Sequence, residues 1–264
     1  MSDLIELSGL NLTYNGAASQ PVTALQDLSL TVSPGELVCL IGPSGCGKST
    51  LLNLIAGFLT PTSGRVQVGG QPVTAPGPDR AMVFQDPALF PWLTVAGNIE
   101  FVLRMQGQGR REREQARERL VRLVGLEEFE RAHPHELSGG MRQRVAIARA
   151  LALQPRVLLM DEPFGALDAQ TRERLQDELL QLWQETGTTI LFVTHSVEEA
   201  AYLGDRVIVL SERPGTVREE VVVGVARPRS RVEADICNLK HHLFDLLPGA
   251  SADSHSKPCC SCER

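Results

Sequence analysis

The amino-acid sequence predicts an α/β fold: a mostly parallel sheet with flanking helices, preceded by N-terminal antiparallel β strands and interrupted by an inserted helical subdomain. Three observations predict it. Short apolar runs ("LVCLI", "RVLLMD", "TTILFVTH", "RVIVL") have the length and β-branched content of strands buried on both faces. Helix-patterned segments separate most of them, and parallel strands need such crossovers. Between about residues 93 and 137 the strand pattern stops and charged, helix-spaced sequence replaces it.

In chain order, "IELSGLNLTY" alternates, "NGAASQP" breaks the pattern, and "LQDLSLTV" alternates again before the turn "SPGE". The buried strand "LVCLI" then runs into the loop "GPSGCGKS" and a helix over "TLLNLIAGF". After the turn "TPTSG", "RVQVGG" and "AMVFQ" are predicted as a further strand pair. "RMQGQGRREREQARERLVRLVGL" reads as a solvated amphipathic helix, with Leu120, Leu123, Val124 and Leu126 at helical spacing. Acids interleave its arginines, which argues against a nucleic-acid arm. The alternation resumes with a helix over "RQRVAIARALAL", a strand at "RVLLMD", and a helix over "QTRERLQDELLQLWQETG". "TTILFVTH", "SVEEAAYLG" and "RVIVL" then read strand, helix, strand. The expected division is a main domain over 1–228 with its insert at about 93–137, a short C-terminal helix within 229–250, and a disordered cysteine-bearing tail over 251–264.

Of 264 residues, 42% are hydrophobic and 22% charged, enough for a real core, and the net charge of −6 disfavours sequence-independent nucleic-acid binding. No apolar run approaches the roughly 20 residues of a membrane-spanning helix. The acidic start "MSDLIELSGL" is unlike a secretory signal, so the chain is expected to stay in the cytosol. Six cysteines (39, 46, 237, 259, 260 and 262) do not have the spacing of a disulfide framework, and His255 beside the last three does not complete a zinc pattern.

The chemistry sits in three motifs. "GPSGCGKST" (Gly42, Pro43, Ser44, Gly45, Cys46, Gly47, Lys48, Ser49, Thr50) matches G-x-x-x-x-G-K-[ST] between a strand and a helix, the context of a P-loop NTPase core. Its glycines let backbone N–H groups converge on phosphate oxygens at a helix N-terminus. Lys48 can reach the β- and γ-phosphates of ATP, and the Ser49 hydroxyl can ligate Mg²⁺. "RVLLMDEP" ends a buried strand in Asp161, placed to hold Mg²⁺, and Glu162, placed to polarise the attacking water. The third motif, "LSGGMRQRVAIARAL", puts Ser138, Gly139 and Gly140 at a helix start and so makes a second anion site.

With "LSGG" shortly before "VLLMDEP", the chain resembles the ATP-binding subunit of an ABC transporter over roughly residues 4–225. The resemblance implies ATP hydrolysis coupled to transmembrane transport, and roles for residues that singly would mean little. Gln85 in "MVFQ" corresponds to the glutamine that contacts Mg²⁺ and the attacking water and links to the membrane subunit. Asp168 in "GALD" corresponds to the loop that crosses the dimer interface, His195 in "LFVTH" to the histidine that contacts the γ-phosphate, and Tyr14 to the aromatic that stacks on adenine. Met141 departs from the glutamine often found there.

The resemblance further implies a second ATPase subunit, identical or related, stacked head to tail so that each phosphate loop faces the partner's "LSGG". It implies transmembrane permease subunits docking near Phe90, Pro91, Trp92 and Leu93, a periplasmic substrate-binding protein, and a peripheral location on the cytoplasmic face of the inner membrane. The wording of "APGPDRAMVFQDPALFPWLTVAGNI" is similar to importer ATPases for nitrate, sulfonate, taurine and bicarbonate. An exporter ATPase, which could share every catalytic residue, is one alternative. A soluble repair or translation ATPase is the other alternative, although the chain has neither a long coiled-coil insert nor a second cassette.

Overall fold

Alternation along each strand decides where the layers lie. In β3 (Leu37–Ile41), Leu37, Cys39 and Ile41 join one apolar cluster while Val38 and Leu40 join another. A strand sends successive side chains to opposite faces, so both faces of this sheet are buried, as its unbroken apolar sequence requires. A computed structural model of the chain describes residues 4–15, 20–165 and 167–247. The cysteine-bearing tail, 251–264, lies outside the described residues, as does part of the break between the first two strands.

The six-stranded sheet has the order β10-β9-β3-β8-β7-β6. Its members are β3, β6 (Arg80–Val83), β7 (Val157–Asp161), β8 (Thr189–Val193), β9 (Arg206–Leu210) and β10 (Val217–Val222). All adjacent pairs are parallel except β10 with β9 at the edge. A second, antiparallel sheet has the order β2-β1-β4-β5, from β1 (Ile5–Tyr14), β2 (Val22–Val32), β4 (Ser63–Val68) and the short β5 (Gln71–Pro72).

Helix α1 (Lys48–Ala56) lies between the two sheets. Its Leu51, Leu52, Leu54 and Ile55 pack with Ile5, Leu28 and Val66 on one side and with Val38, Leu159 and Leu191 on the other. The opposite face of the large sheet is covered by α4 (Gly139–Leu151), α5 (Ala169–Thr186), α6 (Val197–Leu203) and α7 (Ala234–Leu246), through residues such as Val145, Leu179, Leu203 and Ile236.

Residues 95–137 carry α2 (Val95–Met105), α3 (Arg110–Leu123) and two short 3-10 turns. Side-chain oxygens cap α2, α4, α5 and α6: Thr94, Ser138, Asp168 and Ser196 each accept a hydrogen bond from a backbone N–H in the first turn.

The structure departs from the sequence reading in three places. "RVQVGG" and "AMVFQ" are not partners: β4 pairs with β1 in the antiparallel sheet, whereas β6 pairs with β7 in the parallel one. The charged run is not one helix. Gly107, at φ 74°, turns the chain after α2, and Gly125, at φ 62°, follows the end of α3. Strand β10 was not expected, because "VREEVV" places its glutamates in the middle of an edge strand that is only partly covered.

Candidate active site

Three strands of the parallel sheet end on one edge, and the residues following them form the site. β3 leads into the loop 42–47, β7 ends at Asp161 before Glu162, and β8 leads to Thr194 and His195. Open parallel sheets bind ligands at the carboxyl ends of their strands, where loops and helix N-termini converge.

The loop is shaped for an anion. Gly45 and Gly47 have φ of 76° and 103°, and a Cβ on Gly47 would lie 2.6 Å from Leu25 Cδ2. A side chain there is excluded by both backbone conformation and space. No side chain caps the first turn of α1, whose N-terminal N–H groups open toward the loop. Lys48 is buried, and its Nζ donates to the carbonyls of Gly42 at 2.7 Å and Pro43 at 2.9 Å. The ammonium is thereby held over the inside of the loop, 3.8 Å from the buried Cys46 Sγ.

Ser49 Oγ donates to Asp161 Oδ1 at 3.1 Å, joining residues far apart in sequence. Burial pushes the Asp161 carboxyl up, the Ser49 hydrogen bond and the Lys48 charge oppose that shift, and neighbouring Glu162 adds to it. Two hard oxygens side by side suit Mg²⁺, which, when bound, neutralises charge on phosphate oxygens. The residues present therefore fit both ATP and the ion.

Glu162 is a non-glycine residue in the left-handed region, at φ 46°, held by its N–H to Val193 O at 3.0 Å. Such backbone strain clusters at functional sites. Its Oε2 lies 3.1 Å from His195 Nδ1. Gln85, just past β6, comes near the same place: a Cβ on Gly165 would be 3.4 Å from Gln85 Nε2 and 3.9 Å from Glu162 Oε2.

Tyr14 is half-exposed and hydrogen-bonds through its hydroxyl to Thr50 Oγ1 at 3.1 Å. It lines a cleft of about 310 Å³ together with Ser44, Lys48, Ser49, Thr50 and Glu162.

The cleft has a further lining residue that the sequence reading missed, Arg213. It lies in the turn between β9 and β10. That turn is pressed against the phosphate loop, where a Cβ on Gly215 would meet Cys46 O at 2.0 Å and Gly215 N–H donates to Ala24 O at 2.8 Å. "RPG" marks a turn in the sequence, but nothing in it says which loop the turn packs on.

Ser138, Gly139, Gly140 and Asp168 do not line this cleft. They gather where the N-termini of α4 and α5 meet. Gly140 approaches α5 so closely that a Cβ would lie 2.8 Å from Thr171 Cγ2. Ser138 Oγ accepts from Met141 N–H at 3.3 Å, and Asp168 Oδ1 accepts from Thr171 N–H at 3.0 Å. That backbone hydrogen bond holds the exposed Asp168 carboxyl below the usual range. Ser138 and Gly139 are open to solvent. One chain thus carries two separated glycine-rich helix starts.

The segment after Gln85 is tied to two helices. The fully buried Asn98 of α2 accepts from Phe90 N–H at 2.9 Å and donates to the carbonyls of Phe90, Leu93 and Thr94. Arg149 of α4 donates to the carbonyls of Pro87 and Ala88 and lies over the Phe90 ring. Trp92 stays 70% exposed between these anchors.

A family model described as ABC transporter matches residues 25–165. The chain is 52% identical to the nitrate import ATP-binding protein NrtD of Synechocystis sp. over 221 residues, 84% of this chain and 83% of that protein. It is 47% identical to the taurine import ATP-binding protein TauB of Roseobacter denitrificans, over 90% of this chain and 88% of that one. Among solved structures, a dimeric ATP-binding cassette in a post-hydrolysis state bound to ADP and Pi superposes with a TM-score of 0.74 at 34% identity, covering 84% of this chain and 100% of that chain. The chain belongs to the ABC transporter family, as an ATP-binding subunit that is an ATPase.

Proposed function

We propose that the protein is the ATP-hydrolysing subunit of an importer, driving uptake of a small anion of the nitrate, sulfonate, taurine or bicarbonate class through a separate membrane permease. A periplasmic binding protein delivers the anion, and the subunit works at the cytoplasmic face of the inner membrane. The names of the nitrate and taurine relatives support the import reading. No helix among the described residues is long and apolar enough to cross a membrane, so coupling runs through protein contact. The exposed Trp92, on a segment anchored to α2 and α4, is the docking surface in this reading. The division at residue 228, with the helical insert at 93–137, stands as part of the same proposal.

The observation that carries the reading is the separation of the two glycine-rich helix starts. Lys48, Ser49, Asp161, Glu162 and His195 converge at one sheet edge, while Ser138, Gly139 and Gly140 form a second helix start outside that cleft. Two subunits stacked head to tail bring each helix start onto the other's phosphate loop, with ATP between them. The loop 42–50 and Lys48 hold the phosphates. Ser49, Asp161 and Gln85 hold Mg²⁺, and Tyr14 stacks on adenine. Glu162 accepts the proton of the attacking water as its oxygen bonds to the γ-phosphorus and the β–γ bridging bond breaks. His195 orients the γ-phosphate. Asp168 packs across the interface. The bound nucleotide is then part of the dimer contact, so hydrolysis and product release loosen it.

The test is uptake in proteoliposomes holding the subunit, its permease and its binding protein, with a panel of small anions. Uptake of at least one anion that requires internal ATP is expected. ATP-driven efflux, or hydrolysis that no anion-loaded binding protein stimulates, would contradict the import reading.

A further inference from the structure

The ring of His195 is largely exposed and rests against Glu162, so its position depends on the backbone that carries it. That backbone is pinned on both sides. Thr194 N–H donates to Leu40 O at 3.1 Å, and Thr194 Oγ1 accepts from Ser196 N–H at 3.0 Å. The Thr194 hydroxyl in turn donates to Glu199 Oε2 at 2.5 Å, with both residues buried.

Glu199 is itself fixed from α5. Gln176 Nε2 donates to its Oε1 at 3.3 Å, and Arg172 Nε lies 3.7 Å from the same oxygen. Arg172 also donates to Leu167 O at 2.9 Å, in the loop before Asp168. Burying a carboxylate is unfavourable unless it is fully engaged, and a purely structural site is better filled by an apolar side chain. Here the carboxylate sits at a junction of α5, α6 and the turn of His195.

We propose that Glu199 is a positioning residue for ATP hydrolysis: acting through the Thr194 hydroxyl, it locks the turn that holds His195 against Glu162. The inference rests on the role given to His195 above. Thr194→Val removes the hydroxyl at nearly constant shape, whereas Thr194→Ser keeps it. With the purified subunit, Thr194→Val should lower kcat roughly 10- to 100-fold, as loss of an orienting partner does. KM for ATP should hold, because the phosphate loop is untouched, while the unfolding midpoint falls modestly, because Glu199 loses a buried partner. The protein stays folded at the assay temperature, so the kcat loss is read on native enzyme. Thr194→Ser should stay near wild type. Glu199→Ala removes the other end of the same contact and should add nothing to Thr194→Val; nor should Thr194→Val lower the rate of His195→Ala further.

Wild-type kcat in Thr194→Val, a Thr194→Ser enzyme equally slow, or multiplying losses in the double variants would overturn the proposal. A His195→Ala enzyme with wild-type kcat would remove the role of His195 itself, and this inference with it. A slow His195→Ala beside a fast Thr194→Val would remove the positioning alone.

Discussion

At the scale of single residues, the proposed mechanism divides binding from chemistry between Lys48 and Glu162. Lys48 Nζ is buried and held over the phosphate loop by two carbonyls, so its charge is already in place for a triphosphate. Lys48→Ala should abolish turnover and weaken ATP binding, measured by titration of a fluorescent ATP analogue; binding as tight as wild type would contradict the assignment. Glu162→Gln keeps the shape but loses the basic oxygen beside His195. It should bind ATP as wild type does and lose roughly 100-fold or more in kcat, the range of general base catalysis. Most of these residues were legible because each motif carries its own context: a glycine loop between strand and helix, an acid at the end of an apolar strand. The Ser49–Asp161 contact followed from placing both on one sheet edge. Arg213 was not legible, since its place in the cleft comes from how one turn packs on another loop.

Two contacts decide how the elements between residues 95 and 151 behave. Arg144 of α4 donates to Val124 O, just past α3, and lies 2.9 Å from Glu178 of α5, tying three helices through one side chain. Burial lowers the Arg144 pKa and raises that of Glu178, and each charge partly restores the other. Arg144→Met should therefore leave Glu178 with the longer, more exposed contact to Arg174 at 3.7 Å and reduce unfolding stability by about 2 kcal/mol, read from urea midpoints. An unchanged midpoint would show that the pair holds nothing. Trp92, exposed on a segment fixed by Asn98 and Arg149, should behave differently. Trp92→Ala is expected to leave the ATPase rate of the isolated subunit unchanged and to remove its stimulation by the permease complex; stimulation at the wild-type level would take this surface out of the docking site. Periodicity showed that helices fill this region. It did not show the break at Gly107, because a single glycine can sit inside a helix as well as end one. Strand partners were less legible still: β4 and β6 are close in sequence yet lie in different sheets, a choice made by the packing of α1 between them.

Considered as a whole molecule, the chain packs two sheets about α1 and carries its two glycine-rich helix starts in separate places. The cleft at Lys48 and the helix start at Ser138 are separate, and Ser138 and Gly139 stand open to solvent. Two glycine-rich helix starts in one sequence foreshadow this separation, and in the proposed reading each start is one half of a nucleotide site. The central claim, that ATP joins two such chains, is tested most directly by measuring molar mass in solution by light scattering, with Glu162→Gln and saturating Mg-ATP. The mass should double on adding ATP and return to that of one chain with ADP. Adding Ser138→Arg to the same variant should abolish the doubling while ATP still binds at the phosphate loop. A Glu162→Gln protein that binds ATP and keeps the mass of one chain, or one that dimerises equally well with Ser138→Arg, would contradict the account.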